Sequence, residues 1–507
     1  MTTPTALPFH PTLFTPENIA RLTSEHAVSE PYQHGLINKL FDPDFLKEAR
    51  QEIVDQIAFK DKETDIYKIA QTGDLTNLSG LPAAELALLP TLLRLRDSLY
   101  SETFRTFIQK VTGCGALSGI KTDMSCNEYS EGSYLLNHDD VIGTRRISFI
   151  LYLVLDEPKW EPEWGGALEL YPVLPADPDN PTRPNVPAAK PTVSIPPAFN
   201  QFAFFKVQPG HSFHSVEEVV VEGDGEKGGV GARVSLSGWF HKPVEGEEGY
   251  DGGAEYEMKS SLQQLYETTL SPSTPYPETP AFPLPLPLKP LSAESAILKT
   301  LLNPAYLSPS TLAKLRTQFV ETSQLVLSSF LAPHIATELE TLIRAADAKA
   351  EAGRKTIIGG RVTNKVSPQD TGEDPAHGWS IVGPPHIQRF LSFTPPADPS
   401  PSSDRLSVLL AQISALLTSP AFRTLLASLT SLLPTAHTCH VRRFRPGVDY
   451  TLARGETEDG EARLDVGLGL TPRGRKKADR ELWEGGEVGG WELWLAGEEG
   501  GDEATYG

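Results

Sequence analysis

His138, Asp139 and Asp140 stand together just before a run of β-branched and apolar residues, RISFILYLVL (146–155). In an extended segment, residues two apart face the same side. His138 and Asp140 would then point together, with Asp139 pointing away. A neutral imidazole and a carboxylate are two of the three ligands of the facial triad of non-haem iron oxygenases. The chain has 12 histidines, so about one such pair is expected by chance at average composition. A third ligand is needed. His214, in PGHSFHSVEEV (209–219), follows the apolar stretch QFAFFKV (201–207) and opens an alternating Val216/Val219 pattern. His211 competes for this role. His214 is the expected ligand, because its surroundings read as a returning strand, whereas those of His211 suit a surface residue.

Arg233 opens RVSLSGWF (233–240) and should lie next to the His214 strand, facing inward. A buried arginine needs an anion. Its planar fork suits a carboxylate such as the distal one of 2-oxoglutarate. Tyr129 and Tyr152 are candidate hydroxyl donors to the same co-substrate; for each, a packed aromatic is the ordinary alternative. In this reading iron(II), 2-oxoglutarate and dioxygen are the cofactors, held by His138, Asp140 and His214 on one side and Arg233, Tyr129 and Tyr152 on the other.

These residues need strands to carry them. RISFILYLVL, ALELY (167–171), QFAFFKV and RVSLSGWF have the β-branched and aromatic content of strands and are punctuated by glycine and proline. Many short strands with long excursions point to a jelly-roll barrel rather than βαβ units. Helices precede them: Asp42-Pro43 predicts a helix start in HGLINKLFDPDFLKEARQEI (34–53). The same shape recurs at Ala332-Pro333 in SQLVLSSFLAPHIATELETLI (323–343). EYSEGSYLLNHDD (128–140) finds an echo in RFRPGVDYTLARGE (443–456), and EWGGALELY (163–171) in EVGGWELWL (487–495). Three echoes in one order suggest a duplicated unit. The second copy has Ala453 and Gly455 where the first has His138 and Asp140, and His437 and His440 lack a carboxylate two residues on. It should bind no iron.

The expected fold class is α+β: two double-stranded β-helix domains with flanking helices, the first catalytic, the second degenerate and incomplete. The expected boundaries are 1–242 for the catalytic domain, 243–291 for an acidic and proline-rich linker, and 292–507 for the non-catalytic domain. Proline density in 272–290 blocks helix and central strand. Only AGEEGGDEATYG follows EVGGWELWL, so the second barrel is expected to be open, with fewer strands than the first, as in a shortened gene model.

The net charge is -21, from 66 acidic and 45 basic residues. That argues against direct nucleic-acid binding, which needs a basic surface, and favours a basic partner or substrate. Three cysteines, Cys114, Cys126 and Cys439, cannot build a disulfide framework or a zinc cluster. The N-terminus has neither a basic nor an apolar signal region, and no apolar run is long enough to span a membrane. RGRKKADR (473–480) reads as a solvated loop, with a nuclear signal as the alternative.

Beyond these readings, the sequence resembles the fungal and animal 2-oxoglutarate-dependent prolyl hydroxylases that modify a small-subunit ribosomal protein at the decoding centre. The matching stretches are QTGDLTNLSGL (71–81), SCNEYSEGSYLLNHDD (125–140), RRISFILYLV (145–154), EWGGALELYP (163–172), FNQFAFFKVQPGHSFHSVEEV (199–219), RVSLSGWFH (233–241) and RRFRPGVDYTLA (442–453). The resemblance implies iron ligands at His138, Asp140 and His214 and 2-oxoglutarate contacts at Arg233, Tyr129 and Tyr152. It implies prolyl 3-hydroxylation, extending to 3,4-dihydroxylation, of a proline-containing basic protein, with an effect on translation termination. Ascorbate as a further cofactor, a regulatory protein partner, and a cytoplasmic and nuclear location are also implied. The glycine-rich segment 221–232 departs from the family pattern and should be a loop. The rival readings are a non-catalytic two-barrel adaptor, a metal enzyme of the same barrel class without 2-oxoglutarate, and an oxygen-responsive regulator of a transcription factor.

Overall fold

In the computed structural model the strand-forming stretches of the N-terminal half pair as one curled antiparallel sheet of eleven strands. They are β1 (His34–Ile37), β2 (Lys60–Glu63), β3 (Tyr67–Gln71), β4 (Thr122–Tyr129), β5 (Tyr134–His138), β6 (Arg145–Tyr152), β7 (Leu168–Leu170), β8 (Val193–Ile195), β9 (Phe202–Lys206), β10 (His214–Val216) and β11 (Arg233–His241). Their order is β1-β9-β6-β11-β4-β3-β5-β10-β7-β8, with β2 on β3. This is the half-barrel expected of a jelly-roll oxygenase domain. The structure describes residues 7–174, 184–252, 259–266, 273–277, 296–352, 356–358, 361–363, 372–395, 404–445, 449–452, 463–472, 477 and 481.

The two faces of the long central strands differ as the period of two requires. On β11, Val234, Leu236 and Phe240 turn outward into a core with Phe149, Leu151, Phe202 and Phe204. Helices Pro43–Gln56, Pro90–Leu99 and Glu102–Thr112 cover that face with Leu46, Ile53, Leu92, Leu95, Phe104 and Ile108. Each fully buried side chain of this kind stabilises the fold by roughly 1.5–3 kcal/mol. Gly238 is required in this layer. A Cβ there would sit 2.4 Å from Phe149 Cζ and 2.9 Å from the Asp123 carbonyl. The opposite face of β11 presents Arg233, Ser235, Ser237 and Trp239 to the barrel interior. A hydrophobic outer face and a polar inner face therefore come from one alternating strand.

The helix starts read from the sequence are present. Asp42 caps Pro43–Gln56 by accepting from the Asp44 and Phe45 amides, with proline in the first turn. The counterpart helix begins at Pro333 and runs to Ala352.

The chain divides into two compact units: residues 1–272, 354–396 and 440–459 form one, and 273–353, 397–439 and 460–507 the other. Two stretches of the C-terminal half thus fold with the N-terminal barrel and are not separated from it at the proline-rich linker. They carry a four-stranded antiparallel sheet of Trp379–Val382, Gln388–Phe393, Val441–Arg443 and Tyr450–Thr451. Among the described residues this is the largest sheet of the C-terminal half, with four strands against eleven, and a second jelly roll is not seen. The echoed stretch 487–495, Ala453, Gly455 and the proline-rich 278–295 lie outside the described residues. The second unit packs helices Ala296–Leu301, Pro309–Thr322, Pro333–Ala352, Arg405–Leu417 and Pro420–Thr430 around leucines such as Leu298, Leu339, Leu409 and Leu425. Among the described residues no single helix is long and apolar enough to cross a membrane.

Candidate metal centre

His138 ends β5 and His214 opens β10, and the two are directly paired across the ladder. Their rings are 4.1 Å apart between centroids. Asp140 lies 3.3 Å from His138 Nε2 through Oδ1 and 3.5 Å from His214 Nε2 through Oδ2. One ligand atom from each of the three residues falls within 4.8 Å of the others, and among the described residues this is the one such group that includes a histidine pair. Asp140 does not reach this position by strand alternation. β5 stops at His138, and Asp140 adopts a left-handed backbone with φ of 61°. Such a conformation is uncommon for residues other than glycine, though aspartate tolerates it better than most. The turn folds the carboxylate back under the histidine.

Each imidazole is oriented from behind. His138 Nδ1 is 2.8 Å from the Leu136 carbonyl and His214 Nδ1 is 2.8 Å from the Ser212 carbonyl. A carbonyl can only accept, so Nδ1 carries the proton and Nε2 offers its lone pair to the cluster. Burial pulls the His138 imidazole toward its neutral form, but the hydrogen bond and charge of Asp140 outweigh this and leave its pKa above the ordinary value. Burial likewise opposes the charge of Asp140, and the two histidines overcome it, holding the carboxyl well below its usual range. A close carboxylate and two imidazoles with inward lone pairs suit a divalent cation.

Asp139 points away, as predicted. It accepts from the Gly210 and Ser261 amides at 3.1 and 2.9 Å and from Ser261 Oγ at 2.8 Å. His211, the rival ligand, lies outside the cluster with its Nε2 2.9 Å from Asn185 Nδ2.

Arg233 is 1 % exposed. Its Nε donates to the Gly166 carbonyl at 2.6 Å and its Nη1 to Ser235 Oγ at 3.2 Å. Gly166 has φ of 72°, and a Cβ there would come within 2.7 Å of Arg233 Cδ, so glycine is needed for this approach. The guanidinium lies 4.6 Å from the ring centre of Tyr129 and 5.0 Å from that of Tyr152. Arg233 faces Tyr129 directly across β11 and β4, and β11 lies between β4 and β6 rather than beside the His214 strand as expected, because β10 pairs with β5 and β7. Among the described residues, Arg233 Nη2 is buried without a hydrogen bond to protein, and the buried Tyr152 hydroxyl has no protein group beyond the Arg233 guanidinium to bond. Unpaired buried groups of this kind cost free energy, so they point to a ligand with acceptor oxygens. Burial raises the Tyr129 hydroxyl to about 12 against the opposing pull of Arg233, and burial raises Tyr152 against the charge and hydrogen bonding of the same guanidinium. Both stay protonated and able to donate.

A model of the 2OG-Fe(II) oxygenase superfamily matches residues 124–241, which span the metal group and Arg233. A model described as the oxoglutarate and iron-dependent oxygenase degradation C-terminal region matches residues 293–507. Prolyl 3,4-dihydroxylase OGFOD1 of Ostreococcus tauri is 35% identical over 480 residues, covering 94% of this chain and 84% of that protein. The chain belongs to the OGFOD1 family of prolyl hydroxylases. Prolyl 3-hydroxylase OGFOD1 of Mus musculus is 32% identical over 60% of this chain and 45% of its own length. Prolyl 3-hydroxylase sudestada1 of Drosophila melanogaster is 33% identical over 43% of this chain and 36% of its own.

Within this member of the family, several residues around the metal group were not anticipated. Ser148 Oγ and Trp239 Nε1 both donate to Asp140 Oδ2, at 2.8 and 3.0 Å. Arg145 stacks 3.4 Å over the Trp239 ring centre and lies 3.9 Å from Asp140 Oδ1. Trp239 was within reach of sequence reasoning, because it falls at even spacing from Arg233. Between those two, a polar row lines the barrel. Gln71 Nε2 donates to Asn127 Oδ1 at 2.8 Å, and Asn127 Nδ2 to Ser237 Oγ at 3.1 Å. Gln71 begins QTGDLTNLSGL (71–81), one of the stretches that carries the family resemblance. The glycine-rich 221–232 is a loop, held where Arg50 donates to the Gly228 carbonyl. His437 packs at a tilt against Tyr276 with ring centres 4.6 Å apart and, like His440, joins no metal group among the described residues.

Proposed function

We propose that this chain hydroxylates a prolyl residue in a basic segment of a small-subunit ribosomal protein, using iron(II), 2-oxoglutarate and dioxygen. His138, Asp140 and His214 hold the metal, and Arg233, Tyr152 and Tyr129 hold the distal carboxylate of 2-oxoglutarate. One observation carries the assignment. A tight group of two imidazoles and a carboxylate shares its barrel with a buried guanidinium and a buried phenol that still have hydrogen-bonding capacity. Both cofactors fit the donors present.

When bound, iron(II) and 2-oxoglutarate supply the activation of dioxygen, with succinate and carbon dioxide as by-products of prolyl C–H hydroxylation. The protein residues bind, orient and exclude water. The Leu136 and Ser212 carbonyls hold both imidazoles in the Nδ1–H tautomer. Ser148 and Trp239 hold one Asp140 oxygen, which leaves the other free to turn toward a cation. The Arg233 fork neutralises a carboxylate in a buried site where charge complementarity is strong.

The substrate assignment draws on the printed activities of the relatives, prolyl 3-hydroxylase and prolyl 3,4-dihydroxylase, and on the net charge of -21, which suits capture of a basic segment. In this reading residues 1–242 carry the dioxygenase core and 292–507 a non-catalytic part that lends 354–396 and 440–459 to the catalytic unit. Action in cytoplasm and nucleus, with an effect on translation termination, belongs to the same proposal. The test is mass spectrometry of small-subunit ribosomal proteins from cells with and without this enzyme. Loss of one prolyl hydroxylation is expected, and an unchanged hydroxylation pattern would overturn the substrate.

A further inference from the structure

The two histidine ladders are short and irregular where they meet. β10 has three residues, and its register with β5 shifts between His214 and Val216. β10 is held on its other edge by β7, and an irregular register beside a site leaves the aim of its side chains to the packing around them. Part of that packing comes from the C-terminal half of the sequence, in the stretches that fold into the same compact unit as the barrel.

Its contacts fall beside the histidines. His386 is 2 % exposed and its ring lies 5.2 Å from that of Phe213, the residue before His214. The hydroxyl of Tyr450 meets the backbone of Asn137, the residue before His138, and donates to the Pro385 carbonyl. The residue after His214 is tied as well. Ser215 Oγ donates to Glu169 Oε2 at 2.9 Å, and the Tyr171 hydroxyl donates to the same oxygen at 3.1 Å. Arg389 is the register partner of Tyr450 across the strands Gln388–Phe393 and Tyr450–Thr451. Arg389 is also 3.9 Å from Asp449, whose carboxylate takes bonds from Arg445 at 2.7 and 2.8 Å.

Glu169, Ser215, Arg389 and Arg445 are all buried. Two guanidiniums on the Asp449 carboxylate make a cluster that tolerates burial only in a well-defined geometry, since a buried charge without its partner is strongly destabilising. None of these groups belongs to the metal group itself. Glu169, His386 and Tyr450 meet residues adjacent in sequence to its two histidines, and Arg389 lies behind Tyr450 as its partner across the strand pair.

We propose that His386, Arg389 and Tyr450 are positioning residues for His138 and His214, so that the C-terminal half of the chain sets the geometry of the metal centre through the residues flanking each histidine. The inference rests on the assignment of those histidines as metal ligands. Outer residues that orient metal ligands commonly affect affinity by about 10- to 100-fold. These act at one further remove, and a loss near the lower end is expected.

The experiment uses the full chain with Tyr450→Phe, His386→Leu and Arg389→Gln, and cobalt(II) as a spectroscopic probe. Thermal unfolding and far-ultraviolet circular dichroism identify the temperature at which each variant is folded. Cobalt(II) affinity and the ligand-field spectrum are then measured at that temperature. The expected result is affinity lowered by roughly tenfold with an altered ligand-field band in folded protein, and partial recovery of both in Arg389→Lys. A lower melting temperature with unchanged affinity and band would overturn the proposal, because a merely structural role predicts that pattern. Failure of all the variants to fold would overturn it too, by making the cluster a folding core. Failure of the wild-type protein to bind cobalt(II) would instead overturn the ligand assignment on which this rests.

Discussion

Replacing Arg233 by methionine should abolish tight 2-oxoglutarate binding while sparing the metal group. Methionine keeps most of the stem volume and removes the fork. Three consequences follow from the surroundings of the side chain. The Gly166 carbonyl loses the donor that lies 2.6 Å away. The rings of Tyr129 and Tyr152 lose the cation lying between 4.6 and 5.0 Å from their centres. The incoming carboxylate loses the unpaired Nη2 that awaits it. Removing one partner of a buried, hydrogen-bonded charge pair costs about 2–5 kcal/mol, and every 1.4 kcal/mol is tenfold in affinity. The dissociation constant for 2-oxoglutarate should therefore rise by roughly 30-fold to several thousand-fold. The loss of the Gly166 bond falls on the free protein and should appear as lower thermal stability.

The assay is an anaerobic titration of the iron(II)-loaded protein with 2-oxoglutarate, read by calorimetry and by the visible metal-to-ligand band. Arg233→Lys should fall between wild type and Arg233→Met, because an ammonium keeps the charge without the planar fork. Cobalt(II) affinity should be nearly unchanged in both variants, since Arg233 does not belong to the metal group. An unchanged affinity for 2-oxoglutarate in Arg233→Met would refute the reasoning, and equal loss of metal and co-substrate binding would show a collapsed barrel.

His138→Ala, Asp140→Ala and His214→Ala should each abolish succinate production with circular dichroism preserved, whereas His211→Ala should retain it; the reverse outcome for His211 and His214 would exchange their roles. Ser148→Ala combined with Trp239→Phe strips both donors from Asp140 Oδ2 and should weaken cobalt(II) binding by about 10- to 100-fold, a change that equilibrium dialysis would detect. Burial, with the nearby Glu217 charge, raises the Glu169 carboxyl to about 7 against the pull of the Ser215 hydrogen bond. The folded state then binds a proton more tightly than the unfolded one, so this group's contribution is full below its ordinary carboxyl pKa and is lost as pH rises through about 7. The melting temperature of wild type relative to Glu169→Gln should therefore fall over that window, and a flat difference would disprove the shift. Raised ionic strength should lower kcat/KM for a basic prolyl peptide more than kcat, as expected for electrostatic capture; an insensitive kcat/KM would count against the acidic surface as a steering element.

The ligands could be read from the sequence because each sits beside a strongly patterned strand. His138 ends one strand, and His214 and Arg233 each begin one, so the period of two placed all three on the interior. The path to Asp140 could not be read the same way. Strand alternation pointed to the right outcome for the wrong reason, since a left-handed turn delivers the carboxylate. Even spacing from Arg233 places Trp239 on the interior, but that it and Ser148 both reach Asp140 follows only from the register of β6 and β11, which pairs the two. The folding of 354–396 and 440–459 with the barrel was also hidden. It depends on contacts such as Phe213 with His386, which join residues far apart in sequence, whereas the proline-rich stretch between them suggested a clean division.

The central claim is tested most directly by incubating the purified full chain with iron(II), 2-oxoglutarate, air and proline-containing basic peptides drawn from small-subunit ribosomal proteins, then sequencing the products by mass spectrometry. The account predicts the gain of an oxygen atom on a prolyl residue, matched by succinate, with the wild-type chain and its absence with His214→Ala. An oxygen gained on another residue type, or an equal gain with His214→Ala, would contradict it.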